Sequence, residues 1–267
     1  MSTPRELEPV PLPPDGIGAH AASAALWLAG LAWMLPWVSV IGTLNSWVGP
    51  ERIDWMTRFY GRAQIALTGS RWRAHVHPDV DPNQPYLFAQ NHTNHFDYLY
   101  LYPATPHFKQ GLELESHFRY PIYGWAMKAR GTIPVRPGSV AQARENLRAM
   151  RDEIRRGHSI LTFPEGTRSL DGRVGCFRTG VFRIARELGV PVVPVAVTGA
   201  YDVMRKGSLL IRPAHTIRIH VEKPEATAGL SEAEIPALAA RVRATVAAHV
   251  DRYWDERRRA LASGTHA

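Results

Sequence analysis

Residues 21–50 carry no charged side chain, and Leu26, Leu28, Leu31, Leu35, Val38, Val40 and Ile41 make the stretch strongly apolar. A run of about 20 apolar residues spans a hydrocarbon layer of ~30 Å. Pro36 interrupts this one, and residues 21–35 as a helix reach only ~22 Å at ~1.5 Å per residue. Trp27, Trp33, Trp37 and Trp47 are spread along the stretch instead of flanking it at headgroup level. The pattern therefore predicts two helices, parted at Pro36, that dip into one leaflet rather than a single span. Residues 52–67 set Ile53, Met56, Phe59, Tyr60 and Ile65 among Arg52, Arg58 and Arg62. That pattern fits an interfacial helix and equally an amphipathic helix packed on a core. The acidic, proline-rich residues 1–20 read as a disordered leader, and the late start of the apolar stretch argues against a cleavable signal peptide.

Past residue 68 the pattern alternates between short apolar runs and longer helical stripes. Residues 86–90, 131–136, 159–163 and 190–197 read as strands, the last with Pro191 and Pro194 marking a strand start and a bulge or edge. Residues 139–156 read as a helix with a capping box of Ser139 and Gln142 and a stripe of Val140, Leu147, Met150 and Ile154. Residues 182–188 read as another helix. Residues 208–212 and 216–221 read as a hairpin. Residues 231–262 read as a long helix with Ile235, Leu238, Val242, Val246, Val250 and Trp254 on one side. The fold class is α/β, a mixed sheet flanked by helices with an N-terminal apolar two-helix membrane anchor. The expected divisions are a leader at 1–20, anchoring helices at 21–67 and one catalytic domain at 68–267.

Composition narrows the partners. A net charge of +8 and a pI near 9.9 call for an anionic one. No basic run with interleaved aromatics or nucleic-acid module accompanies the charge, so nucleic acid is not expected. Anionic lipid fits both the charge and the apolar segment. The single cysteine, Cys176, excludes an internal disulfide framework and suits a reducing compartment.

Candidate chemistry centres on Tyr86-Leu-Phe-Ala-Gln-Asn-His92-Thr-Asn-His-Phe-Asp97. A strand ends at His92 and a helix over residues 94–102 holds Asp97 in its first turn, so the imidazole and carboxylate can face each other as a general base and its orienting partner. Two other readings fit the same residues. Asn94 and Asp97 can simply cap the helix, or His92, His95 and Asp97 can ligate a metal, although no ligand cluster with zinc-site spacing appears elsewhere. Further on, Phe163-Pro-Glu165-Gly166-Thr167-Arg168-Ser169 is a strand ending in a turn. Its arginine fork and free N–H groups suit a phosphate, or the turn is a surface feature with an Arg-Glu ion pair.

Four blocks in order, the His92 segment, Gly131-Thr-Ile-Pro-Val-Arg136-Pro, Phe163 to Ser169, and Val190-Pro-Val-Val-Pro194-Val-Ala, resemble the lysophosphatidic acid acyltransferase family. The resemblance covers roughly residues 85–200. It implies transfer of a fatty acyl group from acyl-CoA or acyl-carrier protein to the free hydroxyl of a lysophospholipid, foremost 1-acyl-sn-glycerol-3-phosphate, at a membrane phospholipid surface. It implies His92 and Asp97 as the catalytic pair and Arg136, Glu165, Gly166, Thr167 and Arg168 as substrate-binding, with Arg168 on the phosphate and Glu165 orienting Arg168 or binding a substrate hydroxyl. No metal or dissociable cofactor is implied.

The chain departs from the family pattern at Arg136, one residue before the usual arginine position. Asn94 stands where serine is common, and residues 115–121 lack a lysine often seen there. The expected place is the inner membrane with the catalytic domain on the cytoplasmic face, the side set by Arg52, Arg58, Arg62, Arg71 and Arg73. Other readings are a lyso-aminolipid acceptor, a membrane-bound lipid hydrolase and a non-catalytic lipid-binding protein.

Overall fold

A computed structural model describes residues 16–136 and 140–263. Its centre is a seven-stranded sheet of β1 (Arg71–Val76), β2 (Leu87–Gln90), β3 (Lys109–Leu114), β4 (Ile133–Val135), β5 (Ser159–Thr162), β6 (Val192–Thr198) and β7 (Thr216–Val221). The spatial order is β1-β7-β6-β2-β5-β3-β4. All neighbouring pairs are parallel except β6 with β7. Strands covered on both faces read as unbroken apolar runs rather than as alternation. Every residue of β2, β5 and β6 is buried, whereas the edge strand β1 is largely open.

Among the described residues, eight α-helices surround the sheet: α1 (Ile17–Val48), α2 (Asp54–Leu67), α3 (Asp97–Leu101), α4 (Tyr123–Arg130), α5 (Val140–Arg155), α6 (Gly180–Leu188), α7 (Ala200–Val203) and α8 (Ile235–Ala262). The pleat sends alternate residues to opposite faces. Leu87, Ala89, Ile160, Val192 and Ala196 meet Met150 of α5, Phe182 of α6 and Val242, Val246, Val250 and Trp254 of α8. Phe88, Leu161, Val193, Val195 and Val197 meet Ile65 of α2, Tyr100 and Leu101 of α3 and Val203 of α7. The apolar stripe read for residues 231–262 is the buried side of α8, and Ser231 with Glu234 forms a capping box just ahead of it. Ser139, expected to cap α5, lies outside the described residues, as do residues 1–15.

Three expectations on the elements need correction. The apolar segment is one helix, not two: α1 starts at Ile17, inside the expected leader, and runs through Pro36. An interior proline removes one helical hydrogen bond and costs ~3 kcal/mol, yet α1 continues through it. Its second half packs on α4, where Gly42 meets Trp125 so closely that a Cβ would lie 2.8 Å from the ring. Ser39 and Thr43 donate back to the carbonyls of Leu35 and Ser39 at 2.8 Å each. Residues 208–212 form no strand. Their backbone groups turn to α1 and α7 instead: Leu209 O accepts from Trp27, Ile211 N–H donates to Ser23 Oγ, and Arg212 N–H donates to Val203 O. β7 consequently pairs with β6 and β1 and with no hairpin partner of its own.

α1 is inverted relative to a soluble surface helix. Its buried residues are Ser23, Gly30, Ile41, Gly42 and Asn45, while Leu28, Leu31, Leu35, Val40 and Trp47 are exposed. By length and composition it can cross a membrane. α2 turns Met56, Tyr60 and Ile65 inward and leaves Trp55 and Phe59 open beside it.

Candidate active site

Three of the four sequence blocks leave the sheet at the carboxyl ends of its parallel strands, and the fourth is β6 itself. β2, β5, β3 and β4 are parallel and adjacent, so the His92 loop, the Phe163–Ser169 turn, residues 115–119 and Arg136 all follow carboxyl ends of neighbouring strands. Open α/β sheets bind ligands in this position.

His92 closes the loop after β2, and Asp97 is the first residue of α3. His92 Nδ1 lies 2.8 Å from Asp97 Oδ2. The same oxygen accepts from the N–H groups of Thr93 at 2.5 Å and Asn94 at 2.8 Å. The capping expectation is not met, since the N-cap of α3 is Phe96 with no side-chain cap; the Asp97 oxygen instead holds the loop N–H groups ahead of the helix while it orients His92. Asp97 is fully buried whereas the His92 side chain keeps 24% of its surface. With a carboxylate as partner, Nδ1 carries the proton, and the Nε2 lone pair remains for chemistry.

The Phe163–Ser169 turn builds the other side of His92. Glu165 Oε1 accepts the His92 N–H at 2.8 Å, and Ser169 N–H donates to His92 O at 2.7 Å. Phe163 stacks on the imidazole with centroids 4.1 Å apart and planes 20° apart. Backbone and ring plane of His92 are thus both set by this turn. Gly166 sits at φ +72°, where side chains are rarely tolerated, and a Cβ there would also press on the Arg178 guanidinium at 3.0 Å.

Glu165 differs from its expected role. Its second oxygen accepts from Gly175 N–H at 2.8 Å, and it makes no ion pair with Arg168 among the described residues. Burial raises its pKa despite the two N–H donors. Arg168 is half-buried, and its guanidinium makes no hydrogen bond or ion pair among the described residues. Lys206 ties the turn beneath it, donating to Thr167 Oγ1 at 2.8 Å and to Arg168 O at 3.0 Å. His95 keeps an open edge, but partial burial and then the Arg168 charge lower its pKa, so its ring is neutral at pH 7.

Arg136 is occupied elsewhere. Its Nε and Nη2 donate to Glu115 at 2.7 and 2.6 Å, an exposed pair that solvent screens. No hydrogen bond joins it to the His92 loop or the Arg168 turn among the described residues, which exclude Pro137 just after it. Asn94 Nδ2 donates to Ala200 O, and its Oδ1 accepts from Phe96 N–H. It is a framework residue between the loop and the start of α7. The metal reading of His92, His95 and Asp97 gains no geometric support. Among the described residues the group whose ligand atoms converge within 4.8 Å is His220, Glu222 and His249. Sequence reasoning missed that group, along with Gly175 and Lys206, because each depends on residues distant in the chain.

A family model described as Acyltransferase matches residues 71–198. Residues 71–198 are an acyltransferase-family domain. A chloroplastic 1-acyl-sn-glycerol-3-phosphate acyltransferase of Arabidopsis thaliana is 34% identical over 140 residues, 52% of this chain and 39% of that protein. A lyso-ornithine lipid O-acyltransferase of Pseudomonas aeruginosa is 28% identical over 170 residues, 58% of this chain and 64% of that one. The chain thus spans about two fifths of the length of the chloroplastic relatives it matches, 40% and 39%. The crystal structure of the 1-acyl-sn-glycerophosphate (LPA) acyltransferase PlsC of Thermotoga maritima superposes with a TM-score of 0.76 at 19% identity, covering 88% of this chain and 96% of that one. The acyltransferase domain therefore has the PlsC fold, with β7 and α8 completing it beyond the matched span.

Proposed function

We propose that this protein transfers a fatty acyl group from an acyl thioester to the free hydroxyl of a lysophospholipid, with 1-acyl-sn-glycerol-3-phosphate as the first acceptor to test. The observation that carries this reading is the His92–Asp97 pair, with a buried carboxylate on Nδ1 and an exposed Nε2, set beside an Arg168 guanidinium that has no protein anion among the described residues. Nε2 takes the hydroxyl proton as the oxygen attacks the thioester carbonyl. The C–S bond then breaks as the tetrahedral intermediate collapses, and the imidazolium returns its proton to the leaving thiolate. No residue is acylated. Arg168 holds the acceptor phosphate, and fixing the two reactants in attack geometry supplies ~7–11 kcal/mol of the barrier lowering. Gly166 and Thr167 shape the turn that presents Arg168, and Glu165 holds His92 in place.

The exposed apolar side of α1, with Trp55 and Phe59 of α2 next to it, supports docking of the domain on a phospholipid surface. The arginines following α1 favour its cytoplasmic side, although Arg58 also serves the fold by pairing with Asp54 at 2.8 Å. The donor is acyl-CoA or acyl-carrier protein.

The test is acyl transfer in detergent micelles from both donors to lysophosphatidic acid, comparing wild type with His92→Ala. Phosphatidic acid from wild type, reduced about 10²–10⁴-fold in the variant, is the expected result. A folded wild type that forms no product with either donor would overturn the phosphatidate reading. A second acceptor class is favoured by the match to the lyso-ornithine lipid enzyme, and lyso-ornithine lipid in the same assay decides between them. Release of free fatty acid without acceptor would mark a hydrolase.

A further inference from the structure

β7 runs antiparallel to β6, so its carboxyl end lies beside the start of β6, at the edge of the sheet opposite the catalytic loops. There Glu222 and His220, one face of β7, meet His249 of α8. His249 Nε2 and Glu222 Oε1 are 2.8 Å apart. The His220 and His249 rings stack with centroids 4.2 Å apart and planes 19° apart. One ligand atom from each of the three residues falls within 4.8 Å of the other two.

We propose that His220, Glu222 and His249 bind a first-row transition-metal dication that pins α8 to the β7 edge. Two imidazoles and a carboxylate are the donor set such ions take, and hard oxygen-seeking cations do not favour it. Ligand atoms at ~2.0 Å from a tetrahedral ion lie ~3.3 Å apart, so the existing 2.8 Å contact opens by about half an ångström to admit one. An ordinary ion pair accounts for His249 and Glu222 but not for His220. The His220 ring is half-buried and makes no hydrogen bond among the described residues. On β1, His75 stands in register with His220 and is exposed.

The site stands apart from the acyl-transfer reading and is tested without it. Tag-free full-length protein is stripped with EDTA, exchanged into chelator-free buffer at pH 7.5 and titrated with zinc chloride by calorimetry, with metal content checked by mass spectrometry. One zinc per chain and a raised melting temperature are expected. His249→Ala and Glu222→Gln are expected to weaken binding at least tenfold while melting, in EDTA, as wild type does. Cobalt substitution reports geometry, with intense visible bands for a tetrahedral site. No zinc uptake by wild type, or uptake unchanged in the near-isosteric Glu222→Gln and in His249→Ala, would overturn the proposal.

Discussion

Asp97 and Asp54 are both carboxylates buried to a few per cent or less, yet they do opposite things. Asp54 opens α2 and is saturated by arginines, Arg58 at 2.8 Å and Arg130 at 2.9 Å. Arg130 is itself enclosed: it reaches Thr57 Oγ1 and Lys109 O and lies over the Tyr102 and Phe108 rings. Beside it, Lys109 is fully buried and spends its ammonium on the carbonyls of Thr105 and His107, while burial, and then Arg58, lower its pKa. Nothing in that cluster faces a substrate. Asp97 instead spends one oxygen on two main-chain donors and an imidazole whose other nitrogen reaches the surface. A buried charge is therefore not in itself a mark of catalysis. What separates the two clusters is a titratable partner with one nitrogen left over at the carboxyl ends of the strands.

Two substitutions break the comparison most sharply. Asp97→Asn replaces a charge-assisted acceptor with a neutral amide and leaves His92 without the group that fixes its tautomer. Turnover is expected to fall about 10²–10⁴-fold, measured as initial acyl-transfer rate at saturating donor and acceptor. Arg130→Met acts on the other cluster. Removing one partner of a buried pair costs about 3–5 kcal/mol of stability, read by urea denaturation, while kcat per folded molecule changes less than twofold. An Arg130 variant that kept its stability and lost turnover would erase the distinction drawn here.

How far each cluster was legible in the sequence follows from how local its contacts are. The His92–Asp97 pair spans five residues, so strand-then-helix patterning sufficed to find it. The stripe of α8 repeats along one helix and was equally plain. The Asp54–Arg130 pair joins residues 76 apart and Lys109 between them, and no pattern within a window records such a contact. The same distance hid Lys206 beneath Arg168 and Gly175 beyond Glu165. At Pro36 a local rule gave a break, and tertiary packing of Gly42 on Trp125 overrode it. Arg136 was placed correctly at the end of β4, but its partner Glu115 comes from the turn after β3 and could be seen only in space.

Arg168 sharpens the comparison from the substrate side, because in contrast to Arg130 its guanidinium has no protein acceptor among the described residues. Hydrogen bonds to charged groups contribute ~1.5–3 kcal/mol. Arg168→Ala is accordingly expected to raise KM for lysophosphatidate about 10- to 100-fold while the KM for acyl donor moves little. Equal effects on both would place Arg168 outside the phosphate site.

The smallest effect is electrostatic and needs no substrate. The Arg168 charge contributes to lowering the pKa of His95, after burial. Arg168→Ala removes that cation and leaves the burial, so the His95 pKa should rise toward, but not reach, its ordinary value near 6.5. Titration of the His95 ring proton by NMR in wild type and variant measures it. Arg130→Met, acting in the other cluster, should leave the same resonance where it was. A His95 that titrates identically in the Arg168 variant would mean that the guanidinium points away from the His92 loop in solution, and the phosphate would then need a different cation.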